Sequence, residues 1–330
     1  MRRRLLRYLA RKYNYDLVPE SNASPSLPLQ NDDRLPAWVL HLRDLLVHPM
    51  SGVLPASRAS IPAIGQQLYF RSSLCTAVDF HHPDFDRWRR LLGEEPRLHR
   101  KLWEHVFVAA HLEAAGALRE GRRGLGFGVG TEPLPAAFAA GGTALVCTDL
   151  EVERAAAAGW AATGQHAASL DQLNRHGICV KDEFERLVRH ETCDMNAISG
   201  HLRDFDFCWS SCSLEHLGSI QAGCDFVKNS LETLKPGGIA VHTTEFNISS
   251  NDLTIDNNPT LVIFRRKDID RLVADLRSSG HAVADVCYDV LTEPIDLFVD
   301  VPPYKADAHI RLALGPYVCT SIGLVIQKAG

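Results

Sequence analysis

From residue 122 onward, short apolar runs alternate with stretches of helical spacing, and turn residues mark each change. The runs at 124–127, 143–148, 187–193, 205–210 and 238–246 have strand length. Helical spacing falls between them, as at 218–234 ahead of the turn Lys235-Pro236-Gly237-Gly238, and again at 268–279. Strands alternating with helices in this way predict a parallel sheet covered on both faces. The last two runs, 282–288 and 317–328, have no helical pattern between them. The chain is therefore expected to close on a hairpin whose final strand runs antiparallel. The predicted fold is α/β: a doubly wound, mostly parallel seven-stranded sheet with an antiparallel final strand.

Ahead of the sheet the pattern differs. Leu98, Leu102, His105, Val106, Ala109, Ala110, Leu112, Ala115 and Leu118 recur at helical spacing across 96–120. Gly116 interrupts the pattern, and Gly121 is the expected C-terminal stop. Residues 21–36 are rich in Ser, Pro, Asn and Asp and read as a linker. A short amphipathic helix is expected at 37–48, and 49–67 is irregular. Three regions follow: a basic arm and linker (1–36), a mostly helical lid or extension (37–120) and the α/β domain (121–330). The arm holds Arg2, Arg3, Arg4, Arg7, Arg11 and Lys12, interleaved with Leu5, Leu6, Tyr8 and Leu9. No apolar core of secretory type follows it. It reads as a solvated helical arm, and its composition also suits peripheral contact with an anionic membrane or an organellar presequence.

Composition narrows the class further. Apolar residues make up 45% of the 330, which supports a sizeable core. A net charge of −5 disfavours nucleic acid as a partner. No apolar run approaches the ~18–20 residues that cross a bilayer. The nine cysteines are odd in number and form no CxxC pair. They read as reduced thiols of a cytoplasmic protein, and the close pair Cys208 and Cys212 reads as packing.

The candidate chemistry centres on Gly124-Leu125-Gly126-Phe127-Gly128-Val129-Gly130-Thr131-Glu132-Pro133, with Asp149 ending the next apolar run. Glycines let a backbone turn tightly and approach a ligand closely. A helix starting just after them offers unpaired N–H groups. An acid ending the next strand can hold two ribose hydroxyls. The dinucleotide spacing G-x-G-x-x-G fails in every register, because Val129, Thr131 and Pro133 stand where the last glycine belongs. A smaller, diphosphate-free cofactor fits better.

Several segments in order resemble the class I S-adenosylmethionine (SAM) dependent methyltransferases. The first motif resembles 126–132, and Asp149 matches the ribose-binding acid. Asp194-Met195 is similar to the adenine-contacting pair, and 205–210 to the fourth strand. Ser213-Leu214-Glu215-His216-Leu217 resembles the leucine–glutamate–histidine segment beyond it, and 234–238 the turn before the fifth strand. The resemblance implies SAM as cofactor, held by Gly126, Phe127, Gly128, Gly130, Glu132, Asp149, Leu150, Asp194, Met195, Ser210 and Ser211. Glu132 replaces a family glycine and is the expected contact for the cofactor's amino group. The N-terminal extension is expected to form a lid, with Arg100, Trp103 and Thr244 facing the substrate.

Methyl transfer from a sulfonium is an in-line displacement, so alignment and exclusion of water dominate. A hydroxyl acceptor also loses a proton, for which His216 and Glu245 are the candidate bases. His242 is expected in the core. Glu215, His216 and Glu245 are metal donors by type, but no ligand spacing appears and no metal is expected. The sequence thus predicts methyl transfer to oxygen, ahead of nitrogen, of a small polar molecule or glycan. The rival readings are a catalytically silent scaffold of the same fold and a nicotinamide-dependent oxidoreductase.

Overall fold

The computed structural model of the chain describes residues 72–151, 170–290, 293–304 and 308–330. The basic arm and linker (1–36) and the helix expected at 37–48 lie outside them. In chain order the strands are β1 Ser72–Leu74, β2 Arg123–Phe127, β3 Ala144–Asp149, β4 Val188–Thr192, β5 Phe205–Ser211, β6 Leu234–Asn247, β7 Ala282–Val283, β8 Val286–Cys287, β9 Leu312–Leu314 and β10 Tyr317–Gln327. The helices are α1 Pro83–Leu91, α2 Arg100–Ala114, α3 Leu134–Ala140, α4 Lys181–Leu187, α5 Ile220–Leu231 and α6 Arg266–Ser278. None is long and apolar enough to cross a membrane.

The strands form one sheet in the order β4-β3-β2-β5-β6-β10-β1-β8, with β7 and β9 also pairing β10. The five strands β2 to β6 are mutually parallel, and β10 runs antiparallel to β6, as expected. The order reverses between β2 and β5. In an open sheet of this kind, ligands bind outside the carboxyl ends of the strands at that reversal.

Two apolar cores cover the two faces. One gathers Phe127, Cys208 and Ala240 from the sheet with Phe226 and Val227 of α5 and Leu272 of α6. The other gathers Phe207, Trp209 and Val241 with Leu102 and Val106 of α2, Phe138 of α3 and Trp88 of α1.

The N-terminal extension departs from the expected lid. Its described part contributes strand β1, which lies in the sheet between β10 and β8. Ser72 Oγ accepts from Val325 N at 3.0 Å, and the Leu74 side chain joins the sheet core. The segment expected as one strand at 282–288 is accordingly split. Its first half pairs β10 and its second half pairs β1. Helix α2 packs against β5, β6 and β10, and it ends earlier than its apolar spacing implies. Gly116 takes φ +66°, and the Ala117 N–H returns to Leu112 O at 2.9 Å. This is the left-handed stop that glycine favours.

Two glycines of β2 make room for aromatic rings. Gly124 and Gly126 lie opposite Phe207 and Trp209 of β5. A Cβ at 126 would stand 2.5 Å from the Trp209 ring, and one at 124 would stand 2.2 Å from the Phe207 ring. Those rings stack at 5.9 Å, and Phe138 meets the Trp209 ring edge-on at 5.3 Å.

Candidate active site

The glycine loop leaves β2 at the sheet reversal. Gly128 and Gly130 adopt φ +57° and +49°, conformations that side-chain-bearing residues rarely take. The turn brings the Gly130 N–H to Asp149 Oδ2 at 3.0 Å, and Leu150 N–H donates to Oδ1 at 2.8 Å. Asp149 is thus fixed at the carboxyl end of β3, facing the loop. Two further segments close on the same turn. Ser213 Oγ donates to Gly128 O at 3.1 Å. A Cβ on Gly128 would meet Ser213 Oγ at 2.8 Å and Met195 Sδ at 3.3 Å. The half-buried Asp194 turns its Oδ1 to the N–H of Asn196 at 2.9 Å. Gly128, Gly130, Asp149, Leu150, Asp194 and Met195 therefore sit on neighbouring loops at one sheet edge. The carboxylate, the loop N–H groups and the Met195 thioether suit a ribose, a polar tail and an adenine face.

Other residues expected at the cofactor point elsewhere. Gly126 gives its side-chain space to Trp209, and Phe127 is fully buried, edge-on to Phe226 at 5.2 Å. Glu132 accepts from the Trp209 indole N–H at 2.6 Å. Burial pushes its carboxyl up to about 8; the indole bond opposes this, and the charge of Asp149 adds to it. Its carboxyl is buried against the Trp209 indole. Ser210 is fully buried, with Oγ bonded to His242 Nδ1 at 2.8 Å, while Ser230 Oγ lies 3.1 Å from His242 Nε2. Burial lowers this histidine to about 3, so the relay is neutral.

A second cluster lies beside the crevice, built from α2, the loop after β5, the end of β6 and β10. Arg100 reaches Glu245 Oε1 at 2.5 Å, Glu104 Oε1 at 3.1 Å, Ser321 Oγ at 3.2 Å and Cys212 Sγ at 3.7 Å. Lys101 Nζ lies 3.2 Å from Glu104 Oε2, and Ser321 Oγ also bonds Glu104. Ser211 Oγ stands 3.5 Å from Glu104 Oε2, placing it in this cluster. Burial alone would raise Glu104, but Lys101 and Arg100 overrule it and hold the carboxyl at about 2. Thr244 Oγ1 donates to Glu215 Oε2 at 3.0 Å. Burial raises both Glu215 and Glu245, against the pull of Lys101 and Arg100.

His216 ends the short turn Leu214–His216, and its side chain is 23% exposed. Its Nδ1 lies 2.5 Å from Thr260 O, which assigns the proton to Nδ1 and the lone pair to Nε2. Burial lowers it to about 4, so it is neutral at physiological pH. Trp103, expected at the substrate, is instead core, its indole N–H bonded to Asp79 Oδ2 at 2.7 Å. Thr244 and Arg100 are likewise buried and act through carboxylates.

Sequence reasoning missed Glu104, Cys212 and Ser321. The available signal for the first was an Arg100–Glu104 pair at i,i+4 within an otherwise apolar helix. Cys212 carried none, although its backbone takes φ +44°, a rare conformation for a side-chain-bearing residue.

No family model matches the chain, and no curated protein matches it in sequence. Among solved structures, it is similar to an S-adenosylmethionine-dependent methyltransferase from Clostridium acetobutylicum ATCC 824. The identity is 12%, covering 69% of this chain and 91% of that one, with a TM-score of 0.40. It is also similar to the magnesium protoporphyrin IX methyltransferase of Synechocystis PCC 6803 with bound SAH. There the identity is 14%, the coverage 74% and 94%, and the TM-score 0.41. A third is the CcbJ methyltransferase from Streptomyces caelestis, at 14% identity, 72% and 98% coverage and a TM-score of 0.39.

Proposed function

We propose that this protein is a SAM-dependent methyltransferase acting on an oxygen of a small polar molecule or glycan. The observation that carries the reading is the Asp149 carboxylate, held by the Gly130 and Leu150 N–H groups at the sheet reversal. Gly128, Gly130, Asp149, Leu150, Asp194 and Met195 would hold the cofactor. Bound there, SAM supplies a methyl group activated by sulfonium charge.

The chain's own residues then have two tasks. The first is alignment, supplied by the loop and by the rigid charged cluster beside it. The second is removal of the acceptor's proton. His216 is neutral at physiological pH, so Nε2 can accept it. Glu245 keeps one oxygen on Arg100, which holds its carboxyl group in place at the acceptor side.

Titration calorimetry with SAM, S-adenosylhomocysteine and NAD tests the reading. Two ribose hydroxyl bonds to a carboxylate are worth ~1.5–3 kcal/mol each, of which part is recovered by water in the variant. Asp149→Ala is expected to weaken SAM binding about 10- to 100-fold, at ~1.4 kcal/mol per tenfold. Unchanged affinity, or NAD binding in preference to SAM, refutes it.

A further inference from the structure

We infer that Cys212, Glu215 and Glu245 form a binding site for one divalent cation of the zinc class. Cys212 Sγ and one oxygen of each carboxylate all lie within 4.8 Å of one another. Tetrahedral zinc with bonds of about 2.0–2.3 Å holds its ligands roughly 3.5 Å apart, so the three need to draw in by about an ångström.

Three further observations point to a ligand there. The first is unmet hydrogen-bonding capacity. Glu215 and Glu245 are 1% and 4% exposed, yet Glu215 Oε1 and Glu245 Oε2 have no hydrogen-bond donor. A buried, unsatisfied carboxylate oxygen is costly and calls for an occupant.

The second is the arrangement of the remaining oxygens. Thr244 holds Glu215 Oε2, and Arg100 holds Glu245 Oε1. Metal-binding carboxylates are oriented in this manner, one oxygen fixed by a neighbour and one turned to the ion.

The third is charge. Three buried carboxylates, Glu104, Glu215 and Glu245, gather beside the two cations Arg100 and Lys101, so the cluster is rich in anionic donors. A thiolate among the donors selects zinc over magnesium or calcium. Three protein ligands leave a fourth position for water or an acceptor hydroxyl, the pattern of catalytic rather than structural zinc. The sequence carried no ligand spacing because Cys212 and Glu215 reach Glu245 only through the pairing of β5 with β6.

The metal site shares Glu245 with the acceptor side of the methyl-transfer reading, but metal binding is tested without SAM. Full-length protein, stripped with a chelator, is titrated with cobalt(II) in the absence of SAM. One ion per chain is expected, with an intense thiolate-to-cobalt charge-transfer band that zinc abolishes by displacement. Cys212→Ser should lose the band, and Thr244→Val, which keeps all three ligands, should weaken affinity about 10-fold or more. A folded wild-type chain that takes up no cobalt, or binds it without the thiolate band, overturns the inference. SAM affinity is measured separately, so failure of one proposal leaves the other standing.

Discussion

Glu132→Gln separates a buried acid from a ligand contact, and its effect can be worked from the structure. In the fold the carboxyl is pushed up to about 8 by burial, against an ordinary value of 4.5. Between those two values the folded chain keeps a proton that the unfolded chain has released. Stability must then fall as pH rises, by about 1.4 kcal/mol per pH unit. From about pH 5.5 to about pH 7.5 that amounts to about 3 kcal/mol. The loss is complete above the folded value, where both states are ionised. Glutamine keeps an oxygen for the Trp209 indole N–H but does not titrate. The variant's advantage over wild type should therefore grow by about 3 kcal/mol across that window and then level off. Urea unfolding followed by circular dichroism at several pH values measures it. SAM affinity should change less than about twofold, since the group faces Trp209. A stability difference that stays constant with pH refutes the buried-acid assignment. A large loss of SAM affinity refutes the orientation.

His216→Gln should lower kcat by about 10²–10⁴-fold with SAM affinity unchanged, read by methyl transfer to an accepted hydroxyl substrate. Because the lowered value of about 4 keeps the imidazole neutral, activity should rise as pH increases through that value and stay flat to neutrality. A limb centred near the ordinary histidine range would overturn the assignment. Gly126→Ala should destabilise the fold by about 1–3 kcal/mol, because its Cβ meets the rigid, buried Trp209 ring. An unchanged melting temperature would show that the ring can move aside.

The parallel strands were legible because each is a short apolar run bounded by turn residues, a local signal. Asp149 was legible for the same reason: it ends such a run. The job of Gly126 was not, since it is set by Trp209 across the sheet, and a motif reading assigned it to a ligand. Arg100 was expected at the substrate because nothing local to it names a partner beyond its own helix. Its partners Glu245 and Ser321 stand more than a hundred residues later, and only the packing of α2 on β6 and β10 unites them. His216 was placed correctly beyond β5, but its proton position depends on Thr260, in a distant loop.

The insertion of β1 between β10 and β8 ties the start of the described chain to its end. Ser73 pairs Gly323, so this contact joins the two ends of the described chain. Strands β2 to β6 pair with neighbours in the middle of the chain, whereas β1 pairs only with strands from its last fifty residues, β8 and β10. The same link reaches the chemistry, because Ser321 on β10 grips Arg100 and Glu104. The closing strand thus contributes the hydroxyl that ties Arg100 to Glu104, linking the far end of the sheet to the charge cluster beside the crevice.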